Sequence, residues 1–197
     1  MKIGMIFECG PSGADQQVCE EIVKKWVPTA TLAPSVTLDQ KPKLISECGK
    51  AAVGLLADGC DRVLIIWDLY PAWRQRGEKP CRKEDRAGIF ASLTTAKVDI
   101  AKVTLVCIEE ELEAWLIADG RGVSAVLSTA AHPVRIRDTK NPHKIRNPKK
   151  RLNRAFKEHR GFAYIDLQHA IKIVRAIPDR AKLDRIPTFS RFFSKLS

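Results

Sequence analysis

Apolar residues follow two rhythms along this chain. Short unbroken runs at Lys2–Phe7, Arg62–Trp67 and Lys102–Ile108 read as strands covered on both faces, while the stretches between them repeat apolar positions every three or four residues and read as helices. The first run ends at Glu8 and passes into a turn from Cys9 to Ala14 that contains two glycines and a proline. Asp15 then caps a helix to Trp26, with Val18, Ile22, Val23 and Trp26 on one face and Pro28 closing it. Ala30–Leu38 favours a further strand. A helix runs from Pro42 to about Asp58 and ends at Gly59, after which the run Arg62–Trp67 stops abruptly at Asp68. Beyond a loop at Leu69–Cys81, a helix at Lys83–Lys97 leads to the last strand, which opens onto Glu109, Glu110, Glu111 and Glu113 and a helix reaching Asp119.

Strand and helix alternate four times, so the expected fold class is α/β: a central, mostly parallel sheet of about four strands flanked by helices. The pattern changes beyond Gly122. Pro133, Pro142 and Pro148 punctuate a polar stretch, and Pro148 starts a helix with Leu152 and Phe156 turned inward. A second amphipathic helix fits Asp166–Ile177, and Phe189, Phe192, Phe193 and Leu196 share one side of a short terminal helix. The expected organisation is an α/β domain over residues 1–122 and a basic, mainly helical C-terminal extension over residues 123–197, packed on it.

Charge sharpens that division. The 197 residues carry 34 Lys and Arg against 23 Asp and Glu, a net of +11. Arg135–Gly161 alone holds eleven basic residues against two acids, Asp138 and Glu158, so most of the excess belongs to one segment. Such a segment attracts phosphate backbones by counterion release, which makes nucleic acid, DNA or RNA, the expected partner; a solubilising face is the plainer alternative. The candidate contacts are Arg74, Arg76, Lys144, Arg146, Lys149, Lys150, Arg151 and Arg154, with Trp73 beside the first two to stack on a base or dock a partner. The six cysteines follow no metal-knuckle spacing and read as thiols of a reducing compartment. Met1–Phe7 is too short for a leader and no run reaches the roughly 18 apolar residues of a membrane span, so a cytoplasmic location without membrane contact is expected.

In a parallel sheet the carboxyl ends of the strands share one edge, and that is where such folds place their sites. Glu8 ends the first strand, Asp68 the third, and the glutamates follow the fourth. Carboxylates gathered without cations repel, and they persist when well solvated or when they share a divalent metal. Mg2+ or Mn2+ is the expected cofactor, because hard oxygen ligands suit it and because a metal so placed activates water and stabilises charge on a phosphodiester. The simpler alternatives are an N-cap for Asp15 and helix-dipole stabilisation for the later glutamates; neither accounts for Glu8 or Asp68. His132, His143, His159 and His169 show no ligand spacing and are read as surface or phosphate-facing, and neither Cys9 nor Cys81 has an identifiable base.

These residues carry a resemblance. Glu8 after an apolar strand and a Gly-rich turn, Asp68-Leu-Tyr70 after another, and Glu111-Leu-Glu-Ala-Trp-Leu-Ile-Ala-Asp119 after the last resemble the Toprim fold, and more closely a bacterial Toprim-like family related to the overcoming-lysogenization-defect (OLD) nucleases. Asn141-Pro142, Pro148-Lys-Lys-Arg-Leu152 and Pro187-Thr-Phe-Ser-Arg-Phe-Phe193 resemble that family's C-terminal part, so the likeness covers most of the chain. The resemblance implies a metal-dependent nuclease, the effector beside an ATPase partner in phage defence. It assigns Glu8, Asp68, Glu111 and Glu113 as catalytic acids and metal ligands, and Asp15 as an accessory ligand. Tyr70 departs from the pattern, standing where Toprim enzymes usually carry a second aspartate. Three expectations follow: a nuclease, a catalytically degenerate subunit docking on an ATPase, and a toxin acting on a structured RNA. A homo-oligomer is compatible with each.

Overall fold

The computed structural model describes residues 1–70, 79–109 and 111–196. Its strands are β1 (Lys2–Phe7), β2 (Thr31–Leu32), β3 (Val36–Thr37), β4 (Arg62–Asp68) and β5 (Val103–Ile108). They lie in the order β2-β1-β4-β5, with β3 also on β1, and every pair is parallel. The expected α/β class, a parallel sheet flanked by helices, is the observed one. The strand expected over Ala30–Leu38 is split in two because Pro34, between the halves, has no N–H to give the ladder. Register aligns Phe7 with Ile66 and Asp68 with Ile108, so β1, β4 and β5 finish along one edge.

Eight helices are described: α1 (Ala14–Trp26), α2 (Lys41–Ala57), α3 (Arg82–Thr95), α4 (Glu113–Leu116), α5 (Gly120–Leu127), α6 (Pro148–Arg160), α7 (Asp166–Ala176) and α8 (Pro187–Phe193). Alternation along the strands sorts them into two layers. Ile6, Val63, Ile65, Trp67 and Cys107 pack beneath α2 and α3. Ile3, Met5, Phe7, Leu64, Ile66, Val106 and Ile108 face α1 and the helices from α4 onward. A Cβ on Gly49 would sit 2.3 Å from Ser92 O, so only glycine lets α2 approach α3 this closely.

The C-terminal third shares this second core. Residue 122, the expected domain boundary, lies within α5, and buried apolar side chains continue from the sheet through Val123, Phe156, Ile173 and Phe192. Trp115 of α4 meets Phe189 edge-on at 5.3 Å and lies beside Phe192 at 5.6 Å, while its Nε1 donates to Thr188 Oγ1 at 3.0 Å. Lys25, near the end of α1, donates to the carbonyls of Val174, Arg175 and Ile177, which terminate α7.

Two local expectations are corrected. Gly13, not Asp15, holds the N-cap position of α1, so Asp15 is the second helical residue and is released for another role. The helix expected to reach Asp119 is four residues long; Asp119 instead begins the next one, its Oδ1 accepting from Arg121 N at 2.9 Å. Among the described residues no helix is long and apolar enough to cross a membrane.

Candidate active site: an acidic cleft with an adjoining groove

Asp68 ends β4 in the same parity as Leu64 and Ile66, on the side covered by α1. Its N–H donates to Glu8 Oε2 at 3.1 Å, which ties together the acids that end β1 and β4. Its Oδ1 is buried and, among the described residues, has no hydrogen-bond partner. The cleft in front, about 610 Å³, is lined by Asp15, Asp68, Glu111, Glu113, Lys149 and Asp166. Acids from the first strand–helix unit, the end of β4, the start of α4 and the start of α7 therefore meet, although Glu8 touches this group only through the Asp68 amide.

Burial and mutual repulsion set the electrostatics. Burial pushes the Glu8 carboxyl up to about 7, with Lys41 and the Asp68 N–H pulling it down and Asp15 adding to the rise. Burial likewise takes Glu113 to about 7, opposed by Lys149 and reinforced by Glu111 and Asp15. Asp15 rises to about 6 through burial and the neighbouring Asp166 charge, again opposed by Lys149. Asp68 is held well above the ordinary range by burial, then by Asp15, Glu8 and Glu113. Acids in this state hold or accept a proton near neutrality, and an added cation would ionise them.

Lys149 is the cleft's resident cation. Its Nζ pairs with Asp166 Oδ2, and its N–H, in the first turn of α6, donates to Glu111 Oε2 at 2.8 Å. Burial alone would lower its pKa, but Asp166, Glu113 and Glu111 outweigh that and raise it. Glu111 is exposed and caps the N-terminus of α6, where the dipole favours it. Tyr164 is buried beside Glu113 and Asp166, whose charges add to the effect of burial in raising its phenol, and its hydroxyl faces the Glu113 carboxyl.

A second hollow of about 520 Å³ shares Asp68, Tyr70 and Glu111 with the cleft and is otherwise lined by Glu109 and by the segment from His143 to Asn147. A groove with Lys144 and Arg146 on one wall and carboxylates on the other thus joins the acidic cleft at Asp68. Lys150 lines a shallow pocket beside Tyr164, and Arg151 and Arg154 are exposed on α6. Glu109, on the wall of that groove, is neutralised by Arg82 and, at 3.0 Å, by Arg191. Arg74, Arg76, Trp73 and Glu110 lie outside the described residues.

No three His, Cys, Asp or Glu side chains among the described residues form a ready-made metal cage. The donors that do gather are carboxylate oxygens, one of them buried and unpartnered. That set fits a hydrated Mg2+ or Mn2+ held by one or two protein ligands.

Sequence reasoning missed several contributors. Asp166 and Tyr164 come from the C-terminal part, and nothing local distinguishes Asp166 from any first-turn acid. Lys41 is buried beside the Asp68 turn, donating to Leu69 O at 2.7 Å and lying 3.7 Å from Asp85, which also accepts from Trp67 Nε1 at 3.0 Å. His169 is a correction: it is buried rather than on the surface, and its Nδ1 accepts from Ile165 N at 2.8 Å.

Fold and site together define an α/β protein with an acidic cleft at the carboxyl edge of a parallel sheet. The chain belongs to the family described as Domain of unknown function (DUF4276), whose model matches residues 13–197. No curated protein and no solved structure matches it.

Proposed function

We propose that the protein is a Toprim-like phosphodiesterase that cuts nucleic acid with the help of Mg2+ or Mn2+. The observation that carries this reading is the buried Asp68 Oδ1, unpartnered among the described residues and surrounded by carboxylates of raised pKa, at the point where the groove bearing Lys144 and Arg146 meets the cleft. Asp68 and Glu8 would hold the metal, with Asp15 or Glu113 beside them. Bound there, it would supply Lewis-acid stabilisation of a phosphoryl group and a water of lowered pKa. Lys144 and Arg146 would seat the backbone across the groove. Glu113 and Asp15, poised near 7 and 6, have suitable proton affinity to relay a proton at neutral pH. The resemblance to OLD-related proteins extends the reading to a cytoplasmic effector working beside an ATPase in phage defence.

The test is cleavage of end-labelled DNA and RNA with Mg2+ or Mn2+, against the same reaction in chelator. Cleavage should require the metal and fall by at least about 10²-fold in Asp68→Asn. Undiminished cleavage in chelator, or by Asp68→Asn, overturns the proposal.

A second reading, a degenerate subunit docking on an ATPase, is favoured by Tyr70, which is 66% exposed at the mouth of the cleft where the resemblance calls for an acid. It predicts an inert chain that co-elutes with its partner on gel filtration.

A further inference from the structure

Outside the cleft, the turn that ends α6 and the flanks of α5 and α7 enclose a hollow of about 390 Å³ that the proposed chemistry does not use. Phe156, Arg160, Phe162, His169 and Lys172 give it its chemistry, and among the described residues no acid lines it. Gly161, at φ 72°, turns the chain out of α6 and presents Phe162, which remains 43% exposed although an aromatic ring gains from burial. Phe162 lies nearly parallel to His169, at 22° and 5.7 Å, and His169 rests at 4.6 Å on Phe156. The Arg160 guanidinium sits 5.5 Å from the centre of the Phe162 ring. Because His169 Nδ1 accepts the Ile165 N–H, the neutral imidazole carries its proton on Nε2, which makes that nitrogen a fixed donor.

A half-exposed aromatic ring backed by His169, a fixed donor and two cations with no acid paired to them among the described residues match one ligand chemistry: an unpaired nucleobase with its phosphate. We propose that this pocket binds a base of single-stranded nucleic acid. The base takes the place of Arg160 on the Phe162 ring, His169 Nε2–H donates to a base carbonyl or ring nitrogen, and Arg160, giving up its 3.3 Å hydrogen bond to Leu127 O, joins Lys172 on the adjoining phosphate. Phe162 is four residues from Asp166, at most ~14 Å of chain. That upper bound equals about four stacked nucleotides, so the separation of the pocket from the acidic cleft lies within the length of one short strand. The substrate class is accordingly single strands or looped-out bases rather than regular duplex, where base faces are hidden. As a statement about the cleaved substrate, this rests on the phosphodiesterase reading; as a statement about binding, it does not.

The experiment uses the full chain in chelator, where no cleavage intervenes, and follows the fluorescence anisotropy of labelled DNA and RNA strands of about twelve nucleotides beside the matching duplexes. Wild-type protein should bind single strands more tightly than duplex. Phe162→Ala should weaken single-strand binding by about tenfold with duplex binding unchanged, and Phe162→Trp should restore it. Lys172→Ala should lower the salt dependence by about one phosphate. Comparing the DNA and RNA arms shows which strand the pocket prefers. Equal affinity for strand and duplex in the wild type, or single-strand binding unaltered in Phe162→Ala, overturns the proposal. Binding that follows this pattern beside an Asp68-independent or absent cleavage would sink the phosphodiesterase and leave the pocket standing.

Discussion

Replacing Glu113 with glutamine isolates the electrostatic strain of the cleft. The side chain is buried, with the residue only 5% exposed, so solvent screening discounts its interactions little. Its carboxyl moves from 4.5 to about 7 on folding, which corresponds to about 3 kcal/mol. The folded pKa is the higher one. Protonation therefore stabilises the native state; that contribution is complete below about 4.5 and is lost as pH rises through about 7. Glutamine keeps the shape without the titration. In chelator at pH 8, Glu113→Gln should be the more stable protein by up to about 3 kcal/mol, a gain of roughly 6–12 °C in Tm for a chain of this size. At pH 4.5 the two should converge. Urea denaturation at both pH values measures the difference, and adding Mg2+ at pH 8 should narrow it by stabilising the wild type more than the variant, since both keep Asp68 and Glu8 but only the wild type gains relief at residue 113. An advantage that is the same at both pH values, or a wild type that is the more stable protein at pH 8, would refute the reasoning.

Lys41→Met leaves the buried Asp85 carboxylate without its cation and should destabilise by about 3–5 kcal/mol in urea denaturation. Adding Asp85→Asn should recover part of that loss, and no recovery would show that the pair is not the source. Lys150→Ala with Arg151→Ala should flatten the salt dependence of nucleic-acid binding by about one phosphate per effective contact. Lys149→Ala should instead raise the pH at which Asp15 and Glu113 ionise, because its charge opposes their rise; NMR titration of the carboxyl groups reports the change.

The central strands β1 and β4 were legible because they are short, nearly unbroken apolar runs, and a charge at the end of such a run has few structural excuses. Asp68 was therefore found from one stretch of sequence. Leu152 and Phe156, one helical turn apart, likewise announced the buried face of α6, and both are 1% exposed. The start of α1 was misjudged because Asp is a good N-cap, and only the tertiary structure reveals that Gly13 fills that position. Lys149 lay in a run of cations and was grouped with them, yet its Nζ turns onto Asp166 in the cleft while Lys150 and Arg151 face outward. Asp166, Tyr164 and Lys41 act through partners far away in sequence, and their own surroundings are those of any helix start, loop tyrosine or surface lysine. His169 was misplaced because a single histidine on an amphipathic helix gives no sign of which neighbours will cover it.

The cleft closes late in synthesis. Glu8, Asp15, Asp68 and Glu113 all leave the ribosome before Lys149 and Asp166, and the α7 carbonyls that Lys25 holds come later still. A growing chain therefore carries the acids without the wall that shelters them and without the ammonium that tempers their repulsion. Whatever the finished cleft does, the unfinished polypeptide lacks the means to do it until its final helices have docked.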